Sequence, residues 1–351
     1  MDHGPPNPRY ARQRRLDFWD DTAQANLASS HAMIIGVGAL GCPCADLLAR
    51  AGVGRLTLVD RDLVDITNLH RQTLFTDADA AGRVPKAQAG ADRLAAVNPE
   101  IEISPIIADF GAYDAEQIVM RGRHGPPDVL IDGTDNFETR YLINDLSVMH
   151  AIPYVYGGAI ASKGMAAVFM PPDGPCLRCL FPAPPPTGSQ PTCETAGVFA
   201  PVTAIVAAYQ ASEALKLLMG RPERVMGSLL EFDLWEGNRR RIELAAHKDP
   251  ACPCCGDGRF EFLDRDDEET ASICGRDAIQ INPHSRQPID MPALSAALAT
   301  HGPFETSAFT IKGRLESEDV GVTVFRDGRA IFEGVSEPGV ARALYARYIG
   351  C

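Results

Sequence analysis

No hydrophobic run in this sequence approaches the roughly 18 apolar residues that a membrane-crossing helix requires. Residues 1–16 hold four arginines but no apolar core of the kind a secretion signal carries. The chain is therefore expected in the cytoplasm, away from membranes. Basic charge is also short: 33 Lys and Arg stand against 46 Asp and Glu, a formal net charge of -13. A broad phosphate-backbone surface needs the opposite balance, so nucleic acid is not an expected partner. A few clustered basic residues could still hold a compact anion. There is no internal repeat and no long low-complexity tract. What the chain does have is ten cysteines. In a reducing compartment these point to metal ligation or thiol chemistry before structural disulfides.

Residues 31–60 read as strand, glycine turn, helix and strand. His31–Ile35 is a short apolar run, Gly36, Gly38 and Gly41 follow at once, and Arg55–Asp60 is a second strand. Further strands are expected over 101–107, 129–132 and 154–156, with a helix over 140–149. This alternation predicts a Rossmann-like α/β fold, a mostly parallel sheet with helices on both faces. After residue 151 the texture changes, and 163–170 and 229–235 read as strands of an antiparallel part. Between them the Pro/Gly/Ser-rich stretch 181–190 reads as a loop. Pro201 opens a long helix ending near Gly220, with an expected apolar stripe of Val202, Ile205, Ala208, Tyr209 and Leu215. The acidic stretch 264–269 reads as a linker, which divides the chain into residues 1–263 and a small C-terminal α+β domain, 264–351. In that domain 322–335 reads as a hairpin turning at Asp327-Gly328, and Ser336 is expected to cap a final helix.

Gly36-x-Gly38-x-x-Gly41 sits between a strand and a helix, where glycines let the backbone turn tightly and approach phosphates at the positive end of a helix. Asp60 ends the next strand, where a carboxylate accepts from ribose hydroxyls. These features alone favour a dinucleotide oxidoreductase, and a tight turn without ligand also fits them. The residues that follow point elsewhere. Asn68, Arg71, Gln72 and Lys86 gather amide and basic groups that a nicotinamide enzyme does not need. Attack on the α-phosphate of ATP does need them, to neutralise and orient the triphosphate, and a role as solvated surface charges is the alternative for Arg71 and Lys86. Asp135, after the strand 129–132, lies where an oxygen ligand for Mg²⁺ is useful, and a turn-and-cap role is its alternative.

Two cysteine pairs, Cys176-x-x-Cys179 and Cys252-x-x-Cys255, offer four thiolates for a closed structural Zn²⁺ site. Cys254 offers a competing spacing, although the x-x spacing favours Cys252. Cys193 lies apart, ahead of the long helix, where a thiol can be activated as a nucleophile or sit passively in a loop. Cys42 and Cys44 are expected to pack the first helix.

Gly36–Gly41, Asp60-Arg-Asp62 through Asn68-Leu-His-Arg71-Gln72, Pro85-Lys86 and Thr134-Asp135-Asn136 occur in order, and together they resemble the ThiF/MoeB/HesA family, relatives of the ubiquitin-activating enzymes. The resemblance implies adenylylation of the C-terminal Gly-Gly carboxylate of a ubiquitin-like sulfur-carrier protein, with a sulfur donor protein acting next. It assigns the ribose to Asp60, the phosphates to Asn68, Arg71, Gln72 and Lys86, and Mg²⁺ to Asp135. Arg9-Tyr-Ala-Arg12-Gln13 resembles the element whose second arginine reaches across a homodimer to the partner's ATP, which implies that role for Arg12. The cysteine pairs resemble the family's zinc site, and the Cys193 segment resembles a ThiF stretch whose cysteine becomes linked to the carrier. Segments 274–281 and 324–331 are similar to the C-terminal extension of a longer ThiF form, which implies thiamin-thiazole synthesis. A MoeB-type enzyme acting on the molybdopterin carrier is the alternative, and an NAD-binding oxidoreductase is a remote one.

Overall fold

The structure is a computed structural model that describes residues 7–185, 196–264, 270–272, 278–283 and 289–350. The chain divides into two compact units, Met1–Arg265 and Asp266–Cys351. No helix among the described residues is long and apolar enough to cross a membrane.

The larger unit holds strands β1 (His31–Ile35), β2 (Arg55–Val59), β3 (Glu102–Ile106), β4 (Val129–Asp132), β5 (Tyr154–Ile160), β6 (Lys163–Phe169), β7 (Ser228–Asp233) and β8 (Asn238–Glu243). They form one sheet in the order β3-β2-β1-β4-β5-β6-β7-β8. The first five are mutually parallel. From β5 onward the pairing is antiparallel. The helices are α1 (Asp21–Ser29), α2 (Gly41–Ala51), α3 (Asp77–Ala81), α4 (Lys86–Val97), α5 (Ala112–Arg121), α6 (Phe137–His150), α7 (Leu177–Leu180) and α8 (Ala200–Leu218).

Alternate residues of β1 go to opposite faces, as strand geometry requires. Ala32 and Ile34 join Leu48 of α2, Leu94 of α4 and Ala211 of α8 in one core. Met33 and Ile35 join Val119 of α5 and Tyr141 and Leu146 of α6 in the other. Both faces are covered, so all five β1 residues are buried, and each large apolar side chain among them contributes about 1.5–3 kcal/mol. Cys42 and Cys44 are fully buried in α2, and burial pushes both thiols up to about 12. They pack, and they do not react.

The long helix differs from its expected stripe. Val206, Ala207, Ala211, Ala214 and Leu218 face the core together with the polar Gln210 and Glu213, whereas Ile205 is 37% exposed and Ala208 faces solvent. The segment is rich in alanine, so residue spacing alone does not mark which side is buried.

The smaller unit is an antiparallel sheet built from β9 (Thr270–Ser272), β10 (Ala278–Ile281), β11 (Phe304–Thr306), β12 (Thr310–Leu315), β13 (Val320–Phe325) and β14 (Ala330–Glu333). Helices α9 (Met291–Leu298) and α10 (Pro338–Tyr348) contribute Leu298 and Leu344 to its core. The β13–β14 turn holds Gly328 at φ +90°, a conformation that glycine reaches without strain. Glu337, not Ser336, is the N-cap of α10. Pro338 occupies the first turn with its φ preset for the helix, which moves the boundary one residue along.

Candidate functional site

The chain runs β1 to β3 outward on one side of β1 and then returns to place β4 on the other, so a crevice opens at the carboxyl ends of β1 and β4. Gly36 and Gly133 meet there. The Gly36 N–H donates to Val59 O at 2.8 Å, and Gly133 N–H donates to Ile35 O at 2.7 Å. Gly36 has φ +88°, and a Cβ on it would lie 2.7 Å from the Gly133 carbonyl carbon. A Cβ on Gly41 would collide with Gly36 O. Two of the three glycines thus exist for backbone approach, while Gly38 faces the open cleft.

The cleft is lined by Gly36, Gly38, Asp60, Asp62, Arg71, Gln72, Lys86, Gly133, Thr134 and Asp135, among others. Most of the set expected from the sequence therefore converges from strand ends and helix starts. Gly41 and Asn68 do not line it: Gly41 is buried at the start of α2, and the Asn68 carbonyl accepts from Gln72 N–H at 3.0 Å, behind the cleft wall. Arg12 is exposed and does not line its own chain's cleft. Its segment is nonetheless tied down. Arg9 donates to Val97 O at 3.1 Å, Gln13 donates to Ala51 O at 2.7 Å, and Asn98 donates to the Tyr10 hydroxyl at 2.9 Å. Cys193 lies outside the described residues, as do 186–190 of the expected loop and 265–269 of the expected linker.

Asp60 accepts from Val37 N–H at 2.7 Å and Asp62 N–H at 2.8 Å. Burial raises its pKa, and nearby Lys86 opposes that rise. Lys86 donates from Nζ to Asp62 Oδ2 at 2.8 Å, and its backbone N–H donates to Asp62 O, also at 2.8 Å. Burial would discharge this ammonium, but Asp62, Asp60 and Asp135 outweigh it and hold the pKa above the ordinary lysine value. The three carboxylates therefore favour the charged form of Lys86. Arg71 donates to Thr67 O at 3.1 Å, and Arg61 pairs with Asp109 at 3.0 Å on the cleft wall. Gln72 is 4% exposed, and its buried Oε1 has no hydrogen-bond partner among the described residues.

Four residues beneath the cleft were not singled out from the sequence. Asp132, fully buried, accepts from Thr134 N–H at 2.9 Å, Thr134 Oγ1 at 2.7 Å and the Tyr154 hydroxyl at 2.8 Å. Arg140 lies 3.4 Å from Asp132 and donates to Thr134 O at 2.9 Å. Gln210 reaches from α8 to donate to Asp132 O at 2.6 Å. Only Gln210 carried a signal, a polar residue amid apolar neighbours in a helix.

Away from the cleft, the sulfurs of Cys176, Cys179, Cys252 and Cys255 all lie within 4.8 Å of one another. Individual separations are 3.6 Å for Cys176 to Cys252, 3.4 Å for Cys179 to Cys255 and 4.0 Å for Cys176 to Cys179. Tetrahedral zinc thiolates, with Zn–S near 2.3 Å, require sulfurs roughly 3.8 Å apart. The four residues fit that ion, and they leave no open position on it. Cys254 is not one of the four: its thiol, beside Cys176, donates to Asp145 Oδ1 at 3.3 Å and accepts from Asn144 Nδ2 at 3.3 Å. Asn144 also accepts from Leu177 N–H at 2.8 Å, and Asp145 from Phe262 N–H at 2.9 Å, so α6 grips both cysteine loops.

Residues 10–254 match the ThiF family. The chain is 36% identical over 343 residues to the sulfur carrier protein ThiS adenylyltransferase of Bacillus subtilis, a match that covers 97% of this chain and 99% of that one. It is 38% identical over 272 residues to the sulfur carrier protein adenylyltransferase of Thermus thermophilus, covering 76% of this chain and 96% of the relative. Among solved structures, Escherichia coli MccB with ATP superposes with a TM-score of 0.61 at 22% identity, over 72% of this chain and 75% of that one, a likeness of fold. By the extent of the family match and the near full-length identity to its curated relatives, the chain belongs to the ThiF family.

Proposed function

We propose that this protein uses ATP to adenylylate the C-terminal glycine carboxylate of a ubiquitin-like sulfur-carrier protein, priming it for sulfur transfer in thiazole synthesis. The observation that carries this reading is the likeness to a ThiS adenylyltransferase over 97% of the chain, which includes the C-terminal unit. The composition of the cleft supports it. Asp60 takes the ribose, and Gly36 and Gly38 let the backbone approach the phosphates. Arg71, Gln72 and Lys86 contact the triphosphate, with Asn68 behind them. Asp135 is the carboxylate that would hold Mg²⁺, which when bound neutralises phosphate charge.

The carrier carboxylate attacks the α-phosphorus in line. A P–O bond forms to the carboxylate, the bond to pyrophosphate breaks, and an acyl-adenylate remains. A carboxylate is already ionised at neutral pH, so no general base is required and the site acts by positioning and charge neutralisation. A sulfur donor, or the Cys193 thiolate, then attacks the acyl carbon and expels AMP. Cys193 lies five residues before Val198, which lines the cleft. Arg12, exposed on its own subunit, serves the partner's ATP in a homodimer. The cysteine cluster holds Zn²⁺ in a structural role, and the setting is the cytoplasm.

ATP–pyrophosphate exchange with purified thiazole-type and molybdopterin-type carriers, side by side, tests this reading. Exchange with the thiazole carrier is expected. Exchange with the molybdopterin carrier alone would move the assignment to the MoeB type. Nicotinamide binding without carrier dependence would replace it altogether.

A further inference from the structure

Three polar groups of Thr134 are tied to one buried ion pair. Its N–H and Oγ1 donate to Asp132 Oδ1, and its carbonyl accepts from Arg140 Nη2. Within the pair, Arg140 Nε lies 3.4 Å from Asp132 Oδ2, an ionic contact without a hydrogen bond. Tyr154 donates to the second carboxylate oxygen of Asp132. The Arg140 guanidinium lies 5.4 Å over the Tyr156 ring and 5.3 Å over the Phe137 ring. Gln210 fixes the Asp132 carbonyl from α8. Asp132 is 0% exposed and Arg140 7%, whereas Asp135, one residue beyond Thr134, is exposed at the cleft. Isolated buried ions are expensive to maintain, and a well-packed apolar pair would hold a core at least as well. The ionic pair does something an apolar pair cannot: it specifies the rotation of the Thr134 peptide planes.

An exposed carboxylate takes its aim from its backbone. We propose that Asp132 and Arg140 are positioning residues that fix the Thr134 peptide, so that Asp135 meets the divalent cation of ATP in one orientation. This rests on the adenylylation reading of the cleft. Neither residue touches nucleotide; both act through Thr134. Lysine at position 140 would keep the charge, but its single ammonium cannot address both Asp132 Oδ2 and the Thr134 carbonyl as the planar guanidinium does. Valine at position 134 keeps the shape and removes only the Oγ1 bond.

The test measures binding of a non-hydrolysable ATP analogue to the full chain by titration calorimetry, in Mg²⁺ and in EDTA, with a thermal melt of each variant. For Arg140→Lys, binding in Mg²⁺ should weaken roughly 10–100-fold, as for other residues that orient metal ligands, while binding in EDTA matches wild type. For Thr134→Val, whose side chain lines the cleft, the loss in Mg²⁺ should exceed the loss in EDTA. Equal losses in Mg²⁺ and EDTA, or no loss in either variant, would overturn the proposal. Thr134→Val keeps the test open should Arg140→Lys fail to fold. Wild-type protein that binds no analogue at all would instead remove the adenylylation reading beneath it.

Discussion

Lys86 Nζ and Asp62 Oδ2 stand 2.8 Å apart across 24 residues of sequence, the lysine side chain 9% exposed and the aspartate 55%. The pair places a fixed cation at the wall of the cleft while its counter-charge remains solvated. An incoming triphosphate can therefore compete for the ammonium without stranding Asp62. Lys86→Met should lower carrier-dependent pyrophosphate exchange by roughly 10²–10³-fold, the usual cost of losing one preorganised donor. A thermal melt should fall as well, because Lys86 is the cation that opposes the effect of burial on Asp60. A large drop in melting temperature with activity retained would contradict the role given to the lysine.

Asp135 is exposed, so the fold does not depend on its burial. Asp135→Ala is expected to abolish exchange while leaving the circular dichroism spectrum and the melt unchanged. Normal exchange in this variant would sink the catalytic assignment of the cleft.

Cys252 and Cys254 are two residues apart, but only Cys252 belongs to the four-sulfur group, while the Cys254 thiol is bonded to Asn144 and Asp145. Cys252→Ser should lose bound zinc, read by elemental analysis of the purified protein. Cys254→Ser should retain it, with only the stability cost of altering a buried hydrogen bond, about 1–3 kcal/mol. Equal zinc loss in both would mean that the cluster closes differently.

His31 opens β1 at the edge of the sheet opposite the cleft, with Nε2 2.8 Å from Thr57 Oγ1. Burial, with a smaller effect from His124, lowers its pKa from 6.5 to about 4. The folded value lies below the unfolded one, so the unfolded chain takes up the proton first. Stability is fully present above pH 6.5 and is lost as the pH falls towards 4. After allowance for solvent screening, the loss amounts to roughly 1–3 kcal/mol. Urea unfolding midpoints between about pH 7 and 4 should fall in the wild type and fall less in His31→Gln. Parallel pH profiles would assign the acid sensitivity elsewhere.

The parts of the site that were legible in the sequence are those where chemistry and chain order coincide. Gly36, Gly38, Asp60 and Lys86 lie at or just beyond the ends of consecutive strands and helices, so the topology of a parallel sheet gathers them, whereas Arg71 and Gln72 sit in the long connection after β2 and were marked by their residue types. The two cysteine pairs were legible because the Cys-x-x-Cys spacing brings two sulfurs together, and the fold gathers all four within 4.8 Å. The Asp132–Arg140–Tyr154–Gln210 support was not legible, because its members join through contacts up to 78 residues apart and each carries an ordinary identity. The orientation of α8 escaped for a related reason. Glu213 is 4% exposed and accepts from Lys216 and from Met226 N–H, so it sits on a face that polarity would assign to solvent. Only the packed structure identifies the partners that make such burial tolerable.

Helix α6 begins at the cleft, with Arg140 near its start, and reaches the cysteine loops with Asn144 and Asp145 one turn later. A single residue inserted between Arg140 and Asn144 would turn one set relative to the other by about 100° and shift it by about 1.5 Å. Neither the ion pair nor the cysteine grip could follow. This stretch is thus the ruler of the molecule: its length is set to the residue, and any lengthening that evolution or engineering introduces has to fall in the loops on either side of it.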